Sequence, residues 1–276
     1  MGDDTSGADR ALPLARPLQQ FGRIVVVGGG CYGGYYVRQL RRAALAGTAR
    51  WEQLVVVDRD PACLVSRLPI EDRPPGLQLE TSSWDEYFAR FLGEASDHPA
   101  SSGNDAIVPS PLMPHLMAEW ILERARHRWP MRHVAVTPLR SPPAVPWQMT
   151  APDGTHFVSF AEWICPINCI EPALCPATRG ERSWSLPSAI AAYVTEETVA
   201  GHPIDGPYVF HCTHRTYGVG MIDVGAVIAA DAAIRSIAAD RAAAFLVGTA
   251  SHCHGALQRI EVGPPPDAAF ANLSVP

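Results

Sequence analysis

The sequence predicts an α/β chain in which a doubly wound parallel sheet is followed by a smaller α+β domain carrying a cysteine-rich loop. Three observations lead there. An apolar run, Ile24-Val25-Val26-Val27, enters the glycine loop Gly28-Gly29-Gly30-Cys31-Tyr32-Gly33, and after an amphipathic stretch a second apolar run ends on Asp58. Short apolar runs then alternate with helical patterns as far as residue 137, the mark of βαβ units in a parallel sheet. Beyond Pro138, Pro142, Pro143 and Pro146 the pattern changes to hairpins and a segment with three cysteines.

Taken in order, residues 1–20 are polar and read as a loose arm. The first strand leads into a helix over Cys31 to Ala46, where Tyr35, Val37, Leu40, Ala44 and Leu45 give an apolar face and Gly47 a stop. A second strand spans Gln53 to Asp58 and a third Leu77 to Glu80; Ser83 caps a helix from Trp84 to Leu92. The polar stretch Gly93 to Asn104 reads as a surface loop before a fourth strand at Ala106-Ile107-Val108. Pro111 and Pro114 fit the first turn of a helix that continues from Leu116 to Arg128, and His133 to Val136 makes a fifth strand, giving the sheet order 3-2-1-4-5. The first domain is therefore expected over residues 21–140 and the second over 147–276. The second domain opens with a hairpin, Gln148–Thr150 and His156–Phe160. It continues with a helix over Pro187–Glu197, a strand over Tyr208–Cys212, a helix over Val224–Ala239, and strands over Ala243–Thr249 and Ala256–Val262.

The glycine spacing states its own chemistry. Gly28 permits the tight turn out of the strand, Gly30 lets backbone N–H groups approach a pyrophosphate, and Gly33 lets the helix pack against the strand. The helix N-terminus then faces the phosphates, and Asp58 can accept from both ribose hydroxyls while repelling a 2′-phosphate, which favours NAD(H) over NADP. An S-adenosyl ligand fits the same loop and acid. The expected nucleotide contacts are Gly28, Gly30, Cys31, Tyr32, Gly33, Asp58 and Arg59, with Cys31 and Cys63 read as small packed residues and not as metal ligands.

Through Ile24-Val25-Val26-Val27-Gly28-Gly29-Gly30 and Val55-Val56-Val57-Asp58-Arg59-Asp60-Pro61, residues 23–138 resemble the TrkA-N (RCK-type) branch of the NAD-binding Rossmann superfamily. The resemblance implies a Rossmann fold with a nucleotide at Gly28, Gly30, Gly33 and Asp58, in a domain that either senses NAD(H) or serves a dehydrogenase. It covers the first half alone, and the cysteine pattern of the second half is no part of the RCK scheme.

That pattern runs Cys165-Pro166-Ile167-Asn168-Cys169-Ile170-Glu171-Pro172-Ala173-Leu174-Cys175-Pro176. Three prolines exclude a helix or a central strand, so the segment must turn, and its thiols can converge on one point as in a metal or iron–sulfur loop. The fourth ligand comes from elsewhere. Cys253, between His252 and His254, is the first choice, and His211-Cys212 with His214 the second. Four thiolates suit an iron–sulfur cluster or zinc, and three with a histidine suit zinc. The metal set is thus Cys165, Cys169, Cys175 and Cys253. His214 and His254 are the expected proton carriers, Glu171 an acid or base beside the metal, and Asn168 a donor to cluster sulfurs. The loop Arg215 to Gly220 offers backbone N–H groups and a guanidinium to an anion. His98, His115, His127 and His133 have no companions in sequence.

Composition narrows the classes. The 22 basic residues are all arginine, so a Walker A lysine and a lysine Schiff base are excluded, and a net charge of −6 argues against a nucleic-acid partner. No run of 18 apolar residues exists, and the polar start lacks a signal-peptide core, so the expectation is a soluble cytoplasmic protein that does not enter membranes and keeps its thiols reduced. Together these readings predict an NAD(H)-binding redox or electron-transfer protein, an NAD-dependent oxidoreductase if an enzyme. Its centre would be an iron–sulfur cluster or zinc in the second domain, and its partners a small nucleotide and a redox protein, with a homodimer left open. A regulatory nucleotide sensor stapled by structural zinc is the alternative.

Overall fold

The structure, a computed structural model, describes residues 17–163 and 165–266; most of the expected N-terminal arm lies outside them. Two mixed six-stranded sheets and five α-helices form the described part. The first sheet begins with β1 (Gln19–Val27), β2 (Ala49–Asp58), β3 (Leu77–Thr81) and β4 (Ala106–Val108), all parallel in the order β3-β2-β1-β4. The period of two in β1 and β2 decides their packing. Ile24, Val26, Leu54 and Val56 face α1 (Cys31–Leu45) through Val37 and Leu40. Val25, Val27, Val55 and Val57 face the other way, onto Phe88, Phe91 and Leu92 of α2 (Trp84–Asp97), Ile121 of α3 (Leu116–Arg128) and Val227 of α5 (Val224–Ile237). Strands buried on both faces read as continuous apolar runs, which is how they appear in the sequence.

The fourth neighbour of this sheet differs from expectation. The run around His133 forms β5 (Val134–Thr137), which pairs antiparallel with β12 (His254–Val262) in the second sheet. The place beside β4 is taken by β10 (Val219–Asp223), antiparallel to it, and β9 (Thr213–Thr216) pairs with β10 beyond. Burial explains the exchange. Beside fully buried β4, a strand needs apolar residues toward both faces, and Val219, Met221 and Ile222 supply them, whereas three of the four β5 residues are only half-buried. The expected anion loop Arg215–Gly220 is therefore a hairpin. Tyr217 and Gly218 sit in the left-handed region (φ 47° and 76°), as a tight two-residue turn requires.

The second sheet runs β6 (Trp147–Thr150), β7 (His156–Ser159), β12, β11 (Ala243–Ala250) and β8 (Asp205–His211), with β5 also on β12; β11 and β8 are parallel and the other pairs antiparallel. One face packs on the layer of α2, α3 and α5 through Phe210, Phe245, Val247 and Ile260. The other packs on α4 (Leu186–Val199) through Leu246, Leu257, Ile190 and Tyr193. The layers are thus α1, first sheet, three helices, second sheet, α4. The middle core joins Val25 of the first sheet to Phe245 of the second, on either side of the proline-rich stretch at 138–146. Within that layer the buried carboxylate of Asp231 on α5 receives Arg128 at 2.9 Å and Arg124 at 3.3 Å, tying α5 to α3.

Two local differences complete the comparison. Helix α2 continues through Gly93 to Asp97, because Phe91, Leu92 and Ala95 keep its apolar face buried. Pro111 and Pro114 precede α3 and are not part of its first turn. Among the described residues no helix is long and apolar enough to cross a membrane.

Candidate functional site

The glycine loop has the backbone its sequence requires. Gly28 sits at φ 85°, and a Cβ on Gly33 would fall on the Gly28 carbonyl oxygen, so only glycine lets α1 start this close to β1. Around Gly30 a Cβ would meet nothing within 4 Å, which leaves the backbone open to approach. Gly30 caps α1 with no side-chain bond to the first turn. Asp58, expected to hold ribose, spends one bond per oxygen on backbone: Oδ2 accepts from Gly29 N–H at 2.6 Å and Oδ1 from Asp60 N–H at 2.9 Å. Each oxygen keeps a further lone pair. Arg59 lies over the Trp84 ring and 3.7 Å from Asp85, on the surface. Cys31 is exposed, and Cys63 is buried under Gly29.

The cysteine segment lies between β7 and α4 and closes on itself through backbone bonds. Cys175 N–H donates to Gly180 O at 2.9 Å, Arg179 N–H to Cys175 O at 2.8 Å, and Arg182 N–H to Ala173 O at 2.7 Å. Glu171, in the left-handed region at φ 52°, turns its carboxylate to the β11–β12 turn. There it accepts from the N–H groups of His252 and Cys253, both at 3.2 Å. That clamp brings Cys253 to the loop that carries Cys165, Cys169 and Cys175. Burial alone would push Glu171 up, but the Ser251 hydroxyl, the His252 N–H and the nearby His214 and His252 hold it below the usual carboxylate range. Glu171 is therefore an ionised anchor and not a proton donor.

Hydrogen-bond donors converge on the sulfurs. Trp184 Nε1–H points at Cys253 Sγ at 3.2 Å. The Trp163 indole N–H, two residues before Cys165, is buried and has no hydrogen-bond partner among the described residues. The backbone N–H of Thr178 draws the Cys175 thiol below its ordinary range against some burial, with its hydroxyl, the Ala177 N–H and Arg182 adding to the effect. Burial and then Cys169 push Cys165 upward against Trp163, and burial pushes Cys253 up to about 11 against Trp184. Of the four expected ligands, Cys165 feels the charges of Cys169 and Cys175, and Cys253 that of Cys165.

They do not close on a point. Among the described residues, the group of three ligand-bearing side chains whose ligand atoms all lie within 4.8 Å of one another is His115, Glu119 and Asp153, outside the cysteine site. His115 thus has companions after all, Glu119 one helical turn on and Asp153 from the β6–β7 turn, a meeting that sequence distance hides.

His254 Nε2 lies 3.3 Å from Cys165 Sγ, and its Nδ1 lies 2.9 Å from Ser159 Oγ. The Ser159 hydroxyl donates to Ala161 O at 2.8 Å, so it can only accept from His254; the proton sits on Nδ1 and the Nε2 lone pair faces the thiol. Burial keeps this imidazole below its ordinary pKa despite Glu171. Burial likewise lowers His214, whose Nδ1 lies 3.9 Å from Glu171. Cys212, the alternative fourth ligand, is pushed by burial up to about 12 and packs against Gly220. The rings of His211 and His252 lie tilted by 36° with centroids 4.9 Å apart. Arg215 is committed to Asp223 at 2.6 Å and offers nothing to an anion.

These groups face a cavity of about 700 Å³. Its lining combines Tyr32 and Tyr36 of α1 and the segment Pro109–Pro114 with Trp147, Met149, Phe157 and Trp163, and with Cys165, Cys169, Cys253, His214 and His254. Of the residues expected at the nucleotide, Tyr32 alone lines it; Gly28, Gly30, Cys31, Gly33, Asp58 and Arg59 do not. Cys175 is outside the lining as well. Sequence reasoning missed Ser159 and Trp184, which meet an imidazole 95 positions away and a sulfur 69 positions away, and Trp163, which lines the cavity two residues before Cys165.

Residues 117–263 match one family model, described as "Uncharacterized protein, C-terminal domain". The chain belongs to this AF_1314_C family. The matched span holds all four expected metal ligands with His214 and His254 and begins after the glycine loop. No curated protein and no solved structure matches. The expected TrkA-N (RCK-type) resemblance is overturned: no TrkA-N or Rossmann family model matches the chain, and the one match is to the AF_1314_C domain. Its physical basis was narrow, since glycines at a strand-to-helix turn and an acid at the next strand end are local demands that unrelated βαβ units share.

Proposed function

We propose that this member of the AF_1314_C family is a redox or electron-transfer protein whose cysteines hold an iron–sulfur cluster or metal ion at the cavity floor. The observation that carries the reading is the meeting of Cys165, Cys169 and Cys253 in the lining of one cavity, with the Trp184 indole N–H donating to Cys253 Sγ at 3.2 Å. A neutral thiol is a weak acceptor, whereas donors of this kind stabilise bound thiolates and tune their potential. Cys165, Cys169, Cys175 and Cys253 would be the ligands. A single tetrahedral zinc ion at bond lengths of about 2.3 Å needs sulfurs roughly 3.8 Å apart. Among the described residues no three of these sulfurs lie within 4.8 Å of one another, wider than a single zinc ion needs. When bound, an iron–sulfur cluster would supply one-electron transfer.

The remaining roles belong to the chain itself. Glu171 keeps the β11–β12 turn against the cysteine loop, and His254 presents a proton-accepting Nε2 to the cavity. Nucleotide binding at the front of the molecule is the finer part of the proposal. The open backbone at Gly30, the uncapped first turn of α1 and the parallel order β3-β2-β1-β4, half of a doubly wound dinucleotide-binding sheet, support NAD(H) there with Asp58 shaping the loop. A second reading has its own observation. The Cys165–His254–Ser159 chain suits a thiol activated by a neutral imidazole, which would make Cys165 a redox-active or nucleophilic thiol.

Metal and sulfide content of wild type and Cys169→Ser separates the readings. The proposal expects bound metal lost from the variant; full metal content in Cys169→Ser contradicts it. Calorimetric titration with NADH and S-adenosylmethionine tests the loop, and Asp58→Ala should weaken NADH by about tenfold, a charged hydrogen bond's worth. Unchanged NADH binding would remove Asp58 from the site.

A further inference from the structure

The cavity wall carries an argument about what enters. In β6, Trp147 and Met149 alternate with Gln148 and Thr150, so the first pair shares one face and the second the other. Gln148 Oε1 and Thr150 Oγ1 hold His156 at 3.0 and 2.7 Å, which leaves Trp147 and Met149 directed at the cavity. Opposite Met149 in register stands Phe157, and opposite Trp147 stands Ser159, both also lining it. Trp147 and Met149 remain 42% and 52% exposed, large apolar surfaces that the fold itself does not cover. The rings of Tyr32 and Tyr36 line the same space.

The charges point the same way. Among the described residues, the lining contains no arginine, and the chain has no lysine. Outside the lining, Arg182 donates to Pro172 O at 2.9 Å, and Arg215 pairs with Asp223. The lining carboxylates are Glu162 and Glu171, and Glu171 already accepts from the His252 and Cys253 N–H groups. An anion entering here would lose its water and find no counter-charge, while a flat uncharged ring would cover apolar wall on both sides.

We infer that the cavity binds an uncharged, planar, ring-bearing organic molecule between the tyrosines of α1 and the Trp147–Met149–Phe157 face. The inference deepens the electron-transfer reading and rests on it for what the molecule does beside the sulfurs, though not for whether it binds.

The test uses two probes of like shape and different charge, 2-naphthol and naphthalene-2-sulfonate, titrated at pH 7 into the full chain and followed by equilibrium dialysis. 2-Naphthol should bind at least about tenfold more tightly, since the sulfonate meets no compensating charge. Trp147→Ala should weaken 2-naphthol by about three- to tenfold through lost ring contact, and Met149→Arg should raise sulfonate affinity. Both substitutions are on an exposed edge strand that can lose them without unfolding. Equal or tighter binding of the sulfonate by wild type, or naphthol binding indifferent to both variants, overturns the inference. Repeating the titration with Cys169→Ser keeps the two proposals apart: naphthol binding there with metal absent sustains the cavity, and metal retained without naphthol binding overturns the cavity alone.

Discussion

Single residues hold the site by backbone geometry as much as by side-chain chemistry. Gly33 is the clearest case, because any Cβ at that position falls on the Gly28 carbonyl oxygen and must push α1 off the sheet. Gly33→Ala should therefore cost about 3 kcal/mol or more, read as a lower urea midpoint, whereas Gly30→Ala, whose Cβ would meet nothing, should change stability by under about 1 kcal/mol. Equal effects would mean that the loop is not built as described. Glu171 works similarly on the far wall. Its left-handed backbone aims the carboxylate at two N–H groups of the β11–β12 turn, so one residue fixes where Cys253 stands relative to Cys165. The importance of Glu171 was visible in sequence only as a charge between two cysteines; its partners lie 81 and 82 positions away, and nothing local announces them.

Among the elements, the β6–β7 hairpin combines a cavity face with a buried imidazole. His156 is lowered from its ordinary value of 6.5 by burial, so the folded chain resists a proton that the unfolded chain accepts. Stability from this residue is therefore fully present above about pH 6.5 and is lost as pH falls from there toward the depressed folded value. His156→Gln, which keeps hydrogen-bonding capacity toward Thr150 and Gln148, should flatten the decline of the urea midpoint between pH 7 and 5. An unaltered slope would show that His156 contributes none of it. Most elements were legible because their periodicity is strong: the runs at 24–27 and 54–57, the Ser83 cap and the two final strands all fall where the pattern puts them. Pairing was not. A four-residue apolar run fits either sheet by itself, and only the two-sided burial beside β4 selects Val219–Asp223 over Val134–Thr137. The Tyr217–Gly218 turn was misread for a related reason, since two glycines serve a hairpin as readily as an anion loop.

At the scale of the whole molecule, three helices lie between two sheets, and their apolar side chains pack in both directions. The arrangement makes the two halves of the sequence share a core, which the proline-rich break at 138–146 did not suggest. Unfolding should then follow a single cooperative transition, coincident by far-ultraviolet circular dichroism and tryptophan fluorescence. Asp231→Ala, which leaves Arg124 and Arg128 without their carboxylate in the shared layer, should lower that transition as one, by about 3–5 kcal/mol. Two separated transitions, one of them insensitive to Asp231, would contradict the shared core. The same layering brings the front of α1 and the sulfur-bearing turn into the lining of one cavity, so a ring bound there would touch residues from both halves.

Whether the gathered thiols hold a redox centre is tested most directly by an absorption spectrum of the full chain, purified and iron–sulfide reconstituted without air. The expected result is visible charge-transfer absorption that bleaches on reduction and is missing from Cys169→Ser. A wild-type protein that stays colourless and takes up no iron under those conditions would contradict the electron-transfer reading.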